Sequence, residues 1–274
     1  MEDTVMNLYG TPNQTLTITD LQAMKVKGEK ISCLTAYDAS FSALLDEIGI
    51  DVLLVGDSLG MVIQGHSSTV PVTVDDMVYH SRQVAAARKR AVIITDMPFA
   101  SYATPEQALE TATRLMQAGA AQMVKLEGAK PDIIRFLVAQ GISVCGHLGL
   151  LPQSINYLGG FKVQGKEPSE AQQIIEEAKK IEQAGASLLV LECIPASLTQ
   201  QICQQLTIPV IGIGAGPDCD GQVLVLYDIL GISIGKQARF SKNFMHGANS
   251  IEDAIRRYHQ AIKSQQYPDL EHCY

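Results

Sequence analysis

Residues 91–128 read AVIITDMPFASYATPEQALETATRLMQAGAAQMVKLEG, and the rest of the chain repeats their pattern. Two short apolar runs, Ala91 to Thr95 and Gln122 to Leu126, flank an amphipathic segment. That segment opens on Thr104-Pro105-Glu106-Gln107, the form of a capping box with proline at the first helical position, and closes at Gly119. The runs are apolar on both faces, as in strands of a parallel sheet covered by helices on its outside. Each run ends in an acid: Asp96 after the first, Glu127 after the second.

The unit recurs from end to end. Further strands are predicted at Ile31 to Thr35, Asp51 to Val55, Ile142 to Cys145, Ser187 to Leu191, Pro209 to Ile213 and Gln222 to Leu226. A short N-terminal helix is predicted from Thr19-Asp20-Leu21-Gln22 to just before Gly28. Another runs from Ser169-Glu170-Ala171-Gln172 to about Gly185, and a C-terminal helical extension from Ser250 through about Lys263. Eight strands alternating with helices favour an α/β fold of the closed (β/α)8 TIM-barrel type over an open doubly wound sheet, which usually has five or six strands. Residues 16–274 are expected to form this single domain, with residues 1–15 a polar extension. Two connections, Gly56 to Val74 and Gly146 to Pro168, exceed what the architecture needs, and long βα loops are where lids and substrate contacts reside.

Bulk properties narrow the function. A length of 274 residues suits one barrel, and 46% hydrophobic residues supply its core. A formal net charge of −8 argues against a broad phosphate-backbone contact, so no nucleic-acid partner is expected. No run of apolar residues is long enough for a membrane span, and the first fifteen residues lack the basic start and apolar stretch of a signal peptide. The six cysteines contain no CxxC pair and several sit in apolar runs, which predicts a reduced, cytoplasmic protein.

The chemistry lies at the carboxyl end of each strand. Strand two runs into Asp57-Ser58, strand three into Asp96, strand four into Lys125-Leu126-Glu127, strand five into Gly146-His147, and strand six into Glu192-Cys193. In a parallel barrel all these ends open onto one face, where active sites lie. Any one acid there is commonly a helix cap or loop hydrogen-bonder. Lys125 and Glu127, two apart on one strand face, could be a plain inward ion pair. Four converging carboxylates repel, however, and are costly in a poorly solvated pocket without a cation or shared protons. A hard cation with oxygen ligands resolves the conflict, Mg²⁺ before Mn²⁺. His147 alone is more often a supporting hydrogen-bonder than a ligand, and one histidine argues against zinc. Gly212-Ile213-Gly214-Ala215-Gly216 suggests a phosphate cradle or merely a tight turn, and it lacks dinucleotide spacing. Cys145 and Cys193 read as packing residues.

Several stretches together resemble one family. They include Thr35-Ala36-Tyr37-Asp38, Val55-Gly56-Asp57-Ser58-Leu59-Gly60, Gly65-His66-Ser67-Ser68-Thr69, Asp96-Met97-Pro98-Phe99 and Val124-Lys125-Leu126-Glu127-Gly128. They continue with Cys145-Gly146-His147-Leu148-Gly149-Leu150, Leu191-Glu192-Cys193 and the Gly212 to Gly216 run. The set resembles the ketopantoate (3-methyl-2-oxobutanoate) hydroxymethyltransferases of pantothenate biosynthesis over roughly residues 17–247. The resemblance implies a barrel of the phosphoenolpyruvate/pyruvate type in a homo-oligomer, commonly a decamer. It implies transfer of a one-carbon unit from 5,10-methylenetetrahydrofolate to 3-methyl-2-oxobutanoate, giving ketopantoate. By the same resemblance Asp57 and Asp96 ligate Mg²⁺ (Mn²⁺ or Co²⁺ being the alternatives) and Glu127 completes the site directly or through water. Asp57, Ser58, Asp96 and Lys125 contact the keto acid, Glu192 is the base, and His147 gives support. Ala129 and Ala238 depart from the family's usual Gly and Pro, outside the implied site.

Two rivals bracket this reading. A C–C or C–P lyase of the same barrel type would share the metal and the enolate but not the folate, and its usual nucleophile- or Cys-bearing lid motif is not found. A non-catalytic barrel would be expected to have lost one of the acids, and all are present. For the folate tail, Lys162, Lys166 and Lys236 are the basic candidates.

Overall fold

The computed structural model describes residues 15–233 and 237–274. Eight parallel strands close into a barrel in sequence order: β1 Ile31–Thr35, β2 Val52–Val55, β3 Val92–Asp96, β4 Met123–Glu127, β5 Val144–Gly149, β6 Leu188–Glu192, β7 Val210–Ile213 and β8 Gly221–Leu224, which pairs back with β1. The expected (β/α)8 barrel is therefore the fold. The expected extension at residues 1–15 lies, apart from Thr15, outside the described residues.

Two packed layers hold the barrel. Its interior is filled by inward residues such as Cys33, Val52, Ile94, Met123, Cys145, Leu188 and Ile211, and the helix Ile18–Lys27 closes the amino-terminal end by adding Leu21 and Met24 to that cluster. A second, larger cluster packs the outer faces of the strands against the helices. The strands carry buried side chains at nearly every position because both faces meet apolar layers.

Element ends differ from the sequence reading where local chemistry was finer than the motif. The first helix is capped by Thr17 with Asp20 in a reciprocal capping box, two residues before the expected Thr19, because Asp serves here at the position where Gln22 was taken to act. At Thr104 half of the box forms: its hydroxyl accepts from Gln107 N, while Gln107 Oε1 accepts from Ala103 N. The helix expected at Ser169 begins at Pro168, whose fixed φ suits a first turn. Strand β5 extends to Gly149, four residues beyond Cys145, because Leu188–Glu192 pairs with it throughout. Strand β8 stops at Leu224, and Leu226 opens a short helix. The alternation also skips once, since β7 passes to β8 through a turn with no helix. The Gly212 to Gly216 run makes that turn, with Gln222 Nε2 donating to Gly216 O at 2.9 Å.

The amino-terminal end of the barrel is fixed by a buried charge. Asp51 is fully buried and accepts from Ser32 N and Ser32 Oγ at 2.9 Å, from Arg90 at 2.7 Å and from Lys263 at 2.5 Å. It thus ties β1, the start of β3 and the C-terminal helix Ile251–Lys263 together. Burial opposes its charge, but Lys263 and the hydrogen bonds prevail and hold its carboxyl below the ordinary range. Because the folded pKa is depressed, this stabilisation is present above about pH 4 and lost as pH falls through the folded value. Asp51→Ala should cost about 2–3 kcal/mol in urea unfolding, since Ser32, Arg90 and Lys263 would lose a shared charged acceptor. A loss below about 1 kcal/mol would mean that the cluster does not tie the helix to the barrel.

Candidate active site

The carboxyl ends of the strands surround a cavity of about 660 Å³. Strand register builds its floor. Asp96 at the end of β3 pairs with Lys125 of β4, Glu127 pairs with His147 of β5, and Gly149 pairs with Glu192 of β6. Asp57 follows β2, and Ser58 opens the short helix Leu59–Val62. All seven sequence candidates, Asp57, Ser58, Asp96, Lys125, Glu127, His147 and Glu192, line this one cavity.

Charge organises the floor around Lys125. Its ammonium donates to Asp96 Oδ1 at 2.6 Å, and both side chains are 5% exposed. Burial works against the lysine's charge, but Asp96, Glu127 and Asp57 outweigh it, so the ammonium stays protonated. The carboxylates feel the opposite pressure. Burial, then the charges of Asp96 and Glu127, push the Asp57 carboxyl well above its ordinary range. Burial pushes Glu127 up to about 7, against the pull of Lys125. One lysine therefore balances only part of the charge of three carboxylates.

Glu192 stands apart. Its side chain keeps 13% exposure against 5% for Asp96 and 3% for Glu127. Burial raises its carboxyl above the usual range. His147 lies between the two groups, with Nε2 3.3 Å from Glu192 Oε2 and Nδ1 3.6 Å from Glu127 Oε1, yet neither approach completes a hydrogen bond. Burial, reinforced by Lys125, lowers the imidazole, which is neutral near pH 7.

Gly149 adjoins this end of β6 with φ +92°, and a Cβ there would collide with the carbonyl oxygen of Glu192, which accepts from Leu150 N at 2.8 Å. Glycine is thus required for the β5 loop to pass the Glu192 backbone.

Several residues around these groups carried no signal in the sequence. Gln153 is buried and donates from Nε2 to Asp57 Oδ2 at 2.8 Å and to Met97 O at 2.9 Å. Its backbone N donates to Glu127 Oε2 at 3.1 Å, and its Oε1 accepts from Tyr102 Oη at 2.6 Å. Ser58 Oγ lies 2.9 Å from Tyr37 Oη. The loop that follows Gly56 is folded into the cavity wall through Met61, Val62 and Thr69. Cys145 and Cys193 are buried and held as thiols, chiefly by that burial, which matches their reading as packing residues. Of the basic candidates, Lys162 lines the cavity, Lys166 does not, and Lys236 lies outside the described residues.

Among the described residues no three His, Cys, Asp or Glu side chains form a ready-made metal cage, and no helix is long and apolar enough to cross a membrane.

Known proteins resemble this chain along most of its length. The 3-methyl-2-oxobutanoate hydroxymethyltransferase of Nitrosococcus oceani is 58% identical over 261 residues, covering 94% of this chain and 99% of that relative. The enzyme of the same description from Alkalilimnicola ehrlichii is 55% identical, with 97% and 98% covered. Among solved structures, a phosphonopyruvate hydrolase complex with oxalate and Mg²⁺ superposes with TM-score 0.58 at 11% identity over 77% of this chain and 81% of that one. A 2,3-dimethylmalate lyase of the PEP mutase/isocitrate lyase superfamily gives 0.51 at 16% identity, over 71% and 70%. At such identities the structures show the barrel type and not the reaction. The family model described as ketopantoate hydroxymethyltransferase matches residues 15–270, and the chain belongs to that family.

Proposed function

We propose that the acidic floor binds 3-methyl-2-oxobutanoate, that Glu192 removes its C3 proton, and that C3 then attacks the methylene carbon of 5,10-methylenetetrahydrofolate. The product is 2-dehydropantoate (ketopantoate): both C–N bonds from the methylene carbon to the folate break, one water supplies the hydroxyl oxygen overall, and tetrahydrofolate leaves with a proton on each of the two freed nitrogens. One observation carries this reading: three buried carboxylates grouped around Lys125, with a fourth, Glu192, held apart from them and open to the cavity.

The donor set suits a hard divalent cation. It consists of carboxylate oxygens, and Asp57 Oδ1 accepts no hydrogen bond from the described residues while Gln153 fixes Oδ2. Mg²⁺ keeps several waters and binds through one or two carboxylates plus substrate oxygens, which this donor set can supply. Asp57 and Asp96 would hold it, with Glu127 reaching it directly or through water, and Mn²⁺ or Co²⁺ would fit the same oxygens. When bound, the cation supplies a Lewis acid beside the keto and carboxylate oxygens of the substrate.

The chain's own groups do the rest. Lys125 places positive charge by the substrate carboxylate, and Ser58, tied to Tyr37, offers a hydroxyl. Glu192 accepts the C3 proton, a task its raised pKa suits. The electron pair left at C3 delocalises onto the C2 oxygen. The unpaired cysteines fit work in the cytoplasm, and a homo-oligomer, decameric by family resemblance, is the expected assembly.

Glu192→Gln should lower turnover about 10²–10⁴-fold and abolish exchange of the C3 proton into D₂O while keto-acid binding persists. Undiminished exchange would remove Glu192 as the base. In the unaltered enzyme the acid limb of kcat should lie above the ordinary carboxylate range, because the base works deprotonated and its pKa is raised. Asp57→Ala and Asp96→Ala should weaken Mg²⁺ binding strongly in calorimetric titration, and a chelator should reversibly silence the enzyme. Unchanged metal affinity in both variants would give the acids another purpose. Gln153→Ala frees Asp57 and Glu127 from their shared anchor and should cost about 10–100-fold in metal affinity or activity without unfolding the barrel. Retention of full activity would show that the carboxylates hold their positions unaided.

A further inference from the structure

The acidic floor occupies only the depth of the cavity. Pockets of about 300–1,000 Å³ hold ligands of drug size, so a five-carbon keto acid leaves much of the 660 Å³ unfilled. The unfilled part is the mouth, and its lining differs in kind from the floor. Phe161 stands there with 58% of its surface exposed, although it is a large apolar side chain. Lys162 follows it in the chain, and Arg239, Phe240 and Tyr274 line the same cavity.

Two separate stretches of chain hold these residues in place. The Phe161–Lys162 loop is fastened to the residue after the base, since Gln164 N donates to Cys193 O at 2.9 Å. The C-terminal stretch is fastened to the same side of the barrel, where Ala196 N donates to Tyr274 O at 3.0 Å and Tyr267 Oη donates to Phe240 O. Arg239 then sits with its guanidinium carbon 5.6 Å from the Tyr274 ring centroid and donates from Nε to Glu271 O at 3.0 Å. Its terminal nitrogens donate to no described residue. The mouth thus offers an exposed ring, a cation stacked on a second ring and a further ammonium, above a floor that is predominantly acidic. A planar aromatic ligand with an anionic tail matches it, and a second small keto acid does not.

We infer that Phe161 and the Arg239–Tyr274 stack form the subsite of the one-carbon donor, holding the flat pteridine and aminobenzoyl portion of the folate, while Arg239 and Lys162 meet its glutamate carboxylates. This rests on the reading of the floor as the keto-acid site. It also gives the donor a direction, entering from the mouth with its one-carbon unit toward Glu192. The loop from Phe161 and the tail ending in Tyr274 are positioning elements for the donor, not participants in proton removal.

Initial rates with 5,10-methylenetetrahydrofolate varied against saturating keto acid test the assignment in the full-length protein. Phe161→Ala and Arg239→Ala should each raise the donor KM about tenfold or more, while the keto-acid KM moves less than about twofold. With 5,10-methylenetetrahydropteroate, which lacks the glutamate, Arg239→Ala should cost far less than with the folate. Arg239→Lys should restore part of the loss, because charge returns without the planar stack. Donor KM values unchanged in both alanine variants would overturn the subsite, as would a keto-acid KM that rises in parallel. Exchange of the C3 proton by the unaltered enzyme without donor separates the two readings. If exchange occurs and the donor KM values do not move, the subsite is wrong and the floor stands. If exchange is absent, the floor assignment itself falls.

Discussion

The ion pair between Lys125 and Asp96 is the constraint on which the rest of the site depends. Both groups are buried inside a closed barrel, 2.6 Å apart, and Asp57 and Glu127 crowd the same space. Burial and the neighbouring carboxylates drive those two acids toward neutrality, Glu127 as far as about 7, so negative charge in the pocket is favoured beside positive charge. A parallel barrel makes the arrangement feasible. The β3–β4 register sets Asp96 directly beside Lys125, and hydrogen bonds from Gln153 hold the other two carboxylates at fixed orientation. Such a cluster is a poor contribution to stability, because desolvation offsets most of the attraction. Its persistence makes sense as preorganisation for charge that arrives with the ligand.

The fold was legible because its signal is periodic and local. Apolar runs bounded by Thr104-Pro105 or Ser250 name strands and helix starts wherever the chain places them, and a polar residue after each run falls at the barrel's mouth by topology alone. The acids at positions 57, 96, 127 and 192 were therefore readable without a structure. Gln153 was not, because its partners lie in other loops, 96 residues away for Asp57, and nothing in its own neighbourhood marks a buried amide. The same holds for Arg239 and Tyr274, which reach the mouth only after the C-terminal stretch has packed back across the barrel. His147 was placed past the end of its strand, whereas β5 continues beneath it. That longer strand is what aims its ring between Glu127 and Glu192.

In the proposed reaction, the position of His147 explains how one pocket can keep a carboxylate cluster and its base apart. A protonated imidazole there would join Glu127 and Glu192 into one ion-paired network and lower the proton affinity of Glu192. Burial and Lys125 keep the ring neutral instead, with one N–H to offer between two acids. Glu192 is then left with burial as the dominant influence on its charge, which raises its affinity for a proton, the direction that the proposed role as base calls for. The cluster and Glu192 thus share a wall yet answer to different forces: the first is governed by Lys125, the second by desolvation. That separation lets four carboxylates within a single barrel mouth hold two chemical roles.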